Sequence, residues 1–588
     1  MTEGKRSNSY SAIRKLELGE HFSQSSGFSL PSFDAKNLSP IQSAEKLADY
    51  FSCISQEFNP INVSLFSPKV KKLLKSAKSQ PKPVLEPFEV YSRILKSKKP
   101  TSGVPGDLPV KLVKEFAVEL SLPVSKIFNR ITSSAEYPKQ WIIEYQIVIP
   151  KVTPPQSEDD LRNIASTSYF SKIYESFIGD WIFPFIGPFI DPSQCGGLKG
   201  SSITHYLIRM LHFIHKFLDE REPYAVVMAM VDLEKAFNRV SHQLVIEDLA
   251  DMNVPGWLLA ILVSYLSGRT MHMRYKGATS SCRSLPGSSP QGTFLGILLF
   301  IIIFNGALLR PSIPRPNSLH LKYIDDLSVL QAFRLNTLQK DPTQRPFPLT
   351  FDERFEMILP ENNALQDDLN DLYDFTSRKQ LVIKEKKTHL MKFNFSRSSD
   401  FPPEISIQGF DDNIEVVSKT KLLGVMLTSD LKWNANTEYM CNKAYKKLWI
   451  LRRLKALHLD STFIVEVYIK EIRSILELAV PAWHGSLTDQ LSQDLERVQK
   501  VATRIILGKH VPYQVALEKL NLDLLSDRRE KLCRKFTEKT LKSRHADIFT
   551  LNNTSQQTRF KRKFQHPICN TDRFFNSPVN FLTRLLNE

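Results

Sequence analysis

The sequence predicts an α+β fold, with strands gathered into an antiparallel sheet and a long helical region after them. Three stretches carry that reading. AVVMAMVDL, Ala225 to Leu233, is short, continuous and apolar, the profile of a central strand buried on both faces. HLKYIDDLSVL, His320 to Leu330, reads as two β-like arms meeting at adjacent acids, a hairpin with Asp325 and Asp326 at its tip. From about residue 435 apolar side chains recur at helical spacing: Ala444, Leu448, Leu451 and Leu454 in one stretch, then Leu491, Leu495, Val498, Ala502 and Ile505 in a second.

Composition bounds the answer. The chain has 588 residues, which as a soft prior suggests roughly three or four domains. At 42% hydrophobic residues it can bury a large core and is not a disordered chain. Its 78 Lys and Arg against 62 Asp and Glu leave a net charge of +16. That excess favours a polyanionic partner, nucleic acid first and an acidic membrane surface second. The six cysteines (Cys53, Cys195, Cys282, Cys441, Cys533, Cys569) are scattered, with no zinc-like spacing and no disulfide framework. That usage fits a reducing, intracellular compartment, nucleus or cytoplasm. The opening MTEGKRSNSYSAIRK has no apolar signal core. FLGILLFIIIF, Phe294 to Phe304, is too short to span a bilayer and reads as a buried helix.

Along the chain, residues 1–90 read as an N-terminal extension of short helices and linker. In the block 91–430, DLPVKLVKEFAVELSLPVSKIFNRI has helical spacing, QWIIEYQIVIPK alternates like a strand, and SYFSKIYESFIGDWIFPFI returns to helix. A Pro-bearing insertion at 331–364 reads as a surface loop with a short helix, and ALQDDLNDLYDFTSRKQ resumes a helix. Residues 431–510 are the helical region, and 511–588 form a basic, loosely patterned tail that includes RFKRKF.

The paired acids are the chemical clue. Asp159-Asp160, Asp367-Asp368 and Asp411-Asp412 lie in polar surroundings and read as solvated turns or helix faces. Asp325 and Asp326 instead interrupt apolar arms, where uncompensated carboxylates are costly. A hard divalent cation offsets that cost through oxygen ligands. Asp232 ends the other apolar strand. If the two strands are neighbours, three carboxylates converge. They could then hold two metal ions about 3.5–4 Å apart that activate a 3′-hydroxyl and stabilise a leaving pyrophosphate. That arrangement is the core of a template-directed polymerase palm.

The surrounding motifs make the resemblance specific. SGVPGDLPVKLV and YPKQWIIEYQIVIPK are followed by DDLRNIASTSYFSKIYES, QCGGLKGSSITH, VDLEKAFNRVSH, LPGSSPQGTFLGILLF, YIDDL, KQLVIKEKKTHLMKF and TKLLGVMLTSDLKW. In that order, from about residue 100 to about 510, the chain resembles the reverse transcriptases of non-LTR retrotransposons, of the jockey/LINE-like kind. The resemblance implies a right-hand polymerase with fingers and palm over 91–430 and a helical thumb over 431–510. It implies RNA-directed DNA synthesis from a DNA 3′-hydroxyl, with an RNA template, a DNA primer, dNTPs and two Mg²⁺ ions, Mn²⁺ being the alternative.

Residue roles carry over by motif. Asp232, Asp325 and Asp326 become the catalytic, metal-holding carboxylates, with the Leu233 carbonyl as a further ligand. Phe237 becomes a steric gate that rejects a ribose 2′-hydroxyl by bulk; in isolation it would be a core aromatic. Gln291, within Pro290-Gln291-Gly292, falls near the nascent base pair; its plain alternative is a helix-start turn. Lys151 and Arg162 match cations that bind the incoming triphosphate, and either alone would pass for a solvated charge. Lys387 matches a lysine that protonates pyrophosphate, and Tyr323 lies beside the primer terminus or simply packs. Lys443, Lys446, Lys447, Arg452, Arg453 and Lys455 could line a duplex backbone or form an ordinary basic helix face.

Three positions depart from the family pattern: Asn238 for aspartate, Asn163 for proline and Ile297 for proline. None removes a carboxylate. About 90 residues ahead of the polymerase motifs cannot hold the endonuclease common in such elements, and no acidic set for RNase H follows 510. Any nick would then come from a separate endonuclease. The alternatives are a domesticated or defective copy that binds RNA or DNA without synthesis, and a related RNA polymerase or intron maturase.

Overall fold

The computed structural model describes residues 28–97, 103–308, 317–335, 364–395, 405–410, 412–552 and 563–588. Most of the Pro-bearing insertion (336–363), the first 27 residues and most of RFKRKF lie outside the described residues. In chain order the strands are β1 (Ile143–Pro150), β2 (Leu161–Ser166), β3 (Tyr224–Val231), β4 (Thr270–Tyr275), β5 (Ala278–Thr279) and β6 (Arg283–Ser284). They continue with β7 (Ser318–Tyr323), β8 (Asp326–Arg334), β9 (His389–Phe393), β10 (Glu415–Val416), β11 (Lys419–Leu422) and β12 (Val425–Thr428). The class is mixed α and β, with mixed rather than purely antiparallel sheets. The chain divides into two compact units.

The first unit comprises Met1–Asp191, Leu233–Leu309 and Asp374–Val382. Its sheet runs β2-β1-β4-β5, with β6 also on β4; β1 is antiparallel to β2 and parallel to β4. The helix Pro40–Cys53 starts with Ser39 at its N-cap and Gln42 three residues on, each side chain bonding the other's backbone N–H. Its Ala44, Leu47, Ala48 and Phe51 share a core with Met271, Met273 and Tyr275 of β4. Part of the N-terminal extension therefore belongs to this sheet's packing. The DLPVKLVKEF… stretch forms two helices, Val110–Glu115 and Ala117–Ser134, broken at Phe116. FLGILLFIIIF is a helix, Phe294–Phe304, buried almost all round as its composition requires. No helix among the described residues is long and apolar enough to cross a membrane.

A buried polar chain ties this sheet together. Arg269 donates to Glu144 Oε1 at 2.7 and 3.2 Å, both side chains being almost wholly buried. Gln146 donates to Glu144 Oε2 at 3.1 Å, and Asn163 donates to Gln146 Oε1 at 2.9 Å. Asn163, where the family motif has proline, thus supplies an amide that ends the chain. Ile297, also replacing proline, supplies an N–H that reaches the Thr293 carbonyl at 3.4 Å. Asn238 likewise donates to the Phe51 carbonyl at 3.2 Å.

The second unit comprises Pro192–Asp232, Arg310–Tyr373 and Ile383–Glu588. Its sheet has the order β10-β9-β3-β8-β7; only the short β10–β9 edge pair is parallel. β3 lies in the middle with Ala225 to Val231 all buried, as a continuous apolar run demands. The helix Ile203–Leu218 packs on β3 and β7, and its Tyr206 hydroxyl donates to Ser328 Oγ on β8 at 2.6 Å. The helices Asn434–Ala456 and Asp489–Leu507 run along each other. In the latter, Ile506 is fully buried and Ile505 only partly, so the apolar stripe ends one residue later than its predicted position.

Residues 511–588 differ from the expected loose tail. Helices Tyr513–Leu520, Leu525–Thr540 and Pro578–Asn587 bury Leu517, Leu525, Cys533 and Leu582. The segment is pinned to the end of helix Ile203–Leu218. The Asn570 N–H donates to Asp219 Oδ2 at 2.7 Å, and the Thr571 hydroxyl to Asp219 Oδ1 at 2.5 Å. Long-range polar partners of this kind leave no periodic trace in sequence.

Replacing Glu144 with alanine should destabilise the first unit by about 3–5 kcal/mol, because Arg269 would stay buried without its partner. Urea unfolding followed by tryptophan fluorescence measures this, and Glu144→Gln should lose less.

Candidate functional site

The site grows out of the β3–β8 register. The strands are antiparallel, pairing Tyr224 with Arg334 at one end and Val231 with Leu327 at the other. One step beyond that last pair, Asp232 leaves β3 where Asp326 opens β8. On the far side β8 pairs with β7, and Tyr323 opposite Asp326 closes a two-residue turn, Ile324-Asp325. The three predicted carboxylates therefore lie at one end of three adjacent strand segments. An apolar strand buried on both faces can release a charge only where it leaves the sheet, which is why each acid sits at a terminus.

Backbone bonds fix the Asp232 end. The Lys384 N–H donates to the Asp232 carbonyl at 2.8 Å, and the short 3₁₀ turn Glu385–Lys387 follows. That turn carries Lys387 Nζ to 3.8 Å from Asp232 Oδ2, with the two side chains 54% and 34% exposed. A contact so open to water is weak in itself; its interest is where it places the ammonium. Burial, with Cys195 and Asp326 nearby, raises the Tyr323 phenol above its usual range and keeps it protonated.

The hairpin turn is held from the outer edge. Ile324 has a φ of 62°, in the left-handed region that β-branched residues rarely occupy. Its N–H donates to Gln194 Oε1 at 3.0 Å, and Gln194 and Lys322 form a parallel bridge. Gln194 comes from QCGGLKGSSITH, a stretch whose sequence carries no mark of this contact.

The donor set at this sheet end, carboxylate oxygen, is the one hard divalent ions take. Among the described residues no group of three or more His, Cys, Asp or Glu side chains is placed to hold a metal ion.

The remaining predicted residues belong to the first unit or to the helical region. Lys151 follows β1, and Arg162 lies on β2 opposite Ile149, so the β1–β2 register brings the two cations to one end of that pair. Both are exposed, and Lys151 Nζ donates to the Asp159 carbonyl at 2.8 Å. Gln291 is half-buried, and its carbonyl accepts the Ala165 N–H at 2.8 Å, tying the Pro290-Gln291-Gly292 turn to the end of β2. Phe237 is 9% exposed and stacks on Phe300 with ring centres 5.2 Å apart, so its packing role is real.

On the helix Asn434–Ala456, Lys443, Lys446, Arg452, Arg453 and Lys455 are exposed. Lys447 differs: it is half-buried and bonds Glu471 at 2.8 Å. Tyr445 and Trp449, spaced four apart among those cations, are 39% and 41% exposed. Both are large aromatics off the buried stripe and between basic residues, a pattern visible in the sequence.

Residues 149–427 match the family model described as reverse transcriptase (RNA-dependent DNA polymerase). The probable RNA-directed DNA polymerase from transposon BS of Drosophila melanogaster is 23% identical over 425 residues, 70% of this chain and 43% of that protein. The corresponding X-element protein of the same fly is 24% identical over 436 residues, 72% of this chain and 44% of that protein. The RNA-directed DNA polymerase from mobile element jockey is 25% identical, over 49% of this chain and 32% of that protein. The chain thus spans less than half the length of these relatives. The matched span runs from the end of β1 into β12 and holds all three carboxylates, so over that span the chain is similar to the reverse transcriptase family.

Proposed function

We propose that this chain is an RNA-directed DNA polymerase that extends a DNA 3′-hydroxyl on an RNA template. The observation that supports it most is the register that takes Asp232, Asp325 and Asp326 to one end of the β3–β8–β7 sheet. In this reading the second unit's sheet is the palm, the β1–β2 region contributes fingers, and the helices Asn434–Ala456 and Asp489–Leu507 form the thumb.

Asp232, Asp325 and Asp326 would hold two divalent ions, Mg²⁺ or Mn²⁺, which activate the attacking hydroxyl and neutralise charge on the leaving pyrophosphate. Lys387, already beside Asp232, is the donor that returns a proton to that pyrophosphate. Lys151 and Arg162 neutralise the triphosphate of the incoming dNTP and orient it. Tyr323 presses on the primer terminus, and Gln291 on the nascent pair. Phe237 excludes the 2′-hydroxyl by volume; its stacking on Phe300 holds the ring rigid, which a steric gate requires. The exposed thumb cations contact phosphates, and Trp449 and Tyr445 add surfaces on which a base or sugar can pack.

Given poly(rA)/oligo(dT), dTTP and Mg²⁺, the protein should incorporate label, and Asp325→Ala should lose about a hundredfold or more. Equal incorporation by the two proteins would remove the site. Phe237→Val should raise rNTP use relative to dNTP by about ten- to a hundredfold, read from competing single-nucleotide extensions. Lys446→Ala with Arg453→Ala should flatten the salt dependence of template binding by roughly one log–log unit per lost contact. Lys447→Ala should leave that slope unchanged, because Lys447 is committed to Glu471.

A further inference from the structure

The turn that carries Asp325 is poorly suited to its own sequence. Two-residue hairpin turns with positive φ favour glycine or asparagine, yet this chain places Ile324 there at 62°. Something outside the hairpin must hold it. The described contacts point to the segment Ser193–Gly196. The Lys322 N–H donates to the Ser193 carbonyl at 3.1 Å, and the Cys195 N–H to the Lys322 carbonyl at 2.8 Å. The segment therefore meets the edge of β7 through one isolated parallel bridge, Gln194 with Lys322.

Two side-chain features then reach the turn itself. Gln194 is 2% exposed, and its Oε1 accepts both the Ile324 N–H at 3.0 Å and the Gly196 N–H at 2.8 Å. One amide oxygen thus joins the tip of the hairpin to the Ser193–Gly196 segment beside it. Gly196 is the second feature. A Cβ at that position would stand 2.6 Å from the Ile324 nitrogen and 2.8 Å from the Tyr323 carbonyl carbon, both of them backbone atoms. No side chain fits there without moving the turn.

We propose that Gln194 and Gly196 are positioning residues, which lock the Ile324-Asp325 turn so that the Asp325 carboxylate stays at the end of β3 beside Asp232. The proposal rests on the polymerase reading of Asp325, and the lock acts through that carboxylate without touching substrate. Gln194→Met keeps the bulk and removes the acceptor. Gly196→Ala keeps the acceptor and puts a methyl group against the turn.

Both variants are made in the full chain and measured in two ways. Hydrogen exchange by mass spectrometry reads the peptide covering residues 320–328, with the helix Asp489–Leu507 as the control for global folding. Steady-state polymerisation on poly(rA)/oligo(dT) is run as a Mg²⁺ titration. Either variant should exchange faster in the hairpin and normally in the control. It should need about ten- to a hundredfold more Mg²⁺ for half-maximal rate, or lose kcat by that factor, with KM for primer–template unchanged. Faster exchange with wild-type Mg²⁺ dependence and kcat in both variants overturns the proposal, as does wild-type exchange in both. Those results leave the polymerase reading standing, provided the wild-type protein incorporates dTTP. A wild-type protein that neither incorporates dTTP nor binds Mn²⁺, followed by electron paramagnetic resonance, overturns that reading and the proposal with it. If one variant fails the folding control, the other decides alone.

Discussion

Three negative charges at one end of an apolar sheet are the constraint on which the rest depends. β3 is buried on both faces, and its neighbour β8 is buried from Leu327 to Phe333. Neither strand can carry a carboxylate within its length without a large desolvation cost. The acids are therefore at the ends, and the antiparallel register decides which ends meet. A slip of one residue would turn every β8 side chain to the opposite face and separate Asp326 from the end of β3, so packing of the sheet and placement of the acids are one requirement.

Other parts of the second unit serve that requirement. The Lys384 N–H fixes the backbone at Asp232 and carries Lys387 to its carboxylate. Tyr206, on the helix that packs over the sheet, reaches Ser328 only two residues from Asp326. That helix is anchored in turn at Asp219 by Asn570 and Thr571, so the C-terminal helices brace the layer supporting the sheet. In the first unit a buried ion pair is satisfied in a similar way: Asn163 donates to Gln146, Gln146 donates to Glu144, and Glu144 accepts from Arg269.

Much of this was legible in the sequence because it is local. The run AVVMAMVDL announces a buried strand with an acid at its end, and HLKYIDDLSVL announces a hairpin; both are β3, β7 and β8 as found. Motif order then supplied what no single stretch could, the expectation that the two belong together. What stayed hidden depends on partners distant in sequence. Gln194 and Ile324 are 130 positions apart, and nothing in QCGG hints at a turn to be held. Residues 511–588 looked loose because their order comes from contacts such as Asp219 with Thr571, not from a long apolar stripe. Lys447 was indistinguishable from its basic neighbours until Glu471 appeared beside it. Trp449, between Lys447 and Arg452, shows in sequence only as part of a helix, and its exposed face appears with the fold.

If Asp232 and the Asp325-Asp326 tip share one metal site, an ion bound there lies against both segments. Fe²⁺ substituted for Mg²⁺, with ascorbate and peroxide, cleaves a polypeptide backbone close to where the ion binds. Fragments mapped by mass spectrometry should show paired cuts, one near residue 232 and one near residue 325. Excess Mg²⁺ should suppress both, and Asp325→Asn should abolish both. Cleavage at only one of the two segments, or cuts that Mg²⁺ does not compete away, would contradict the shared site.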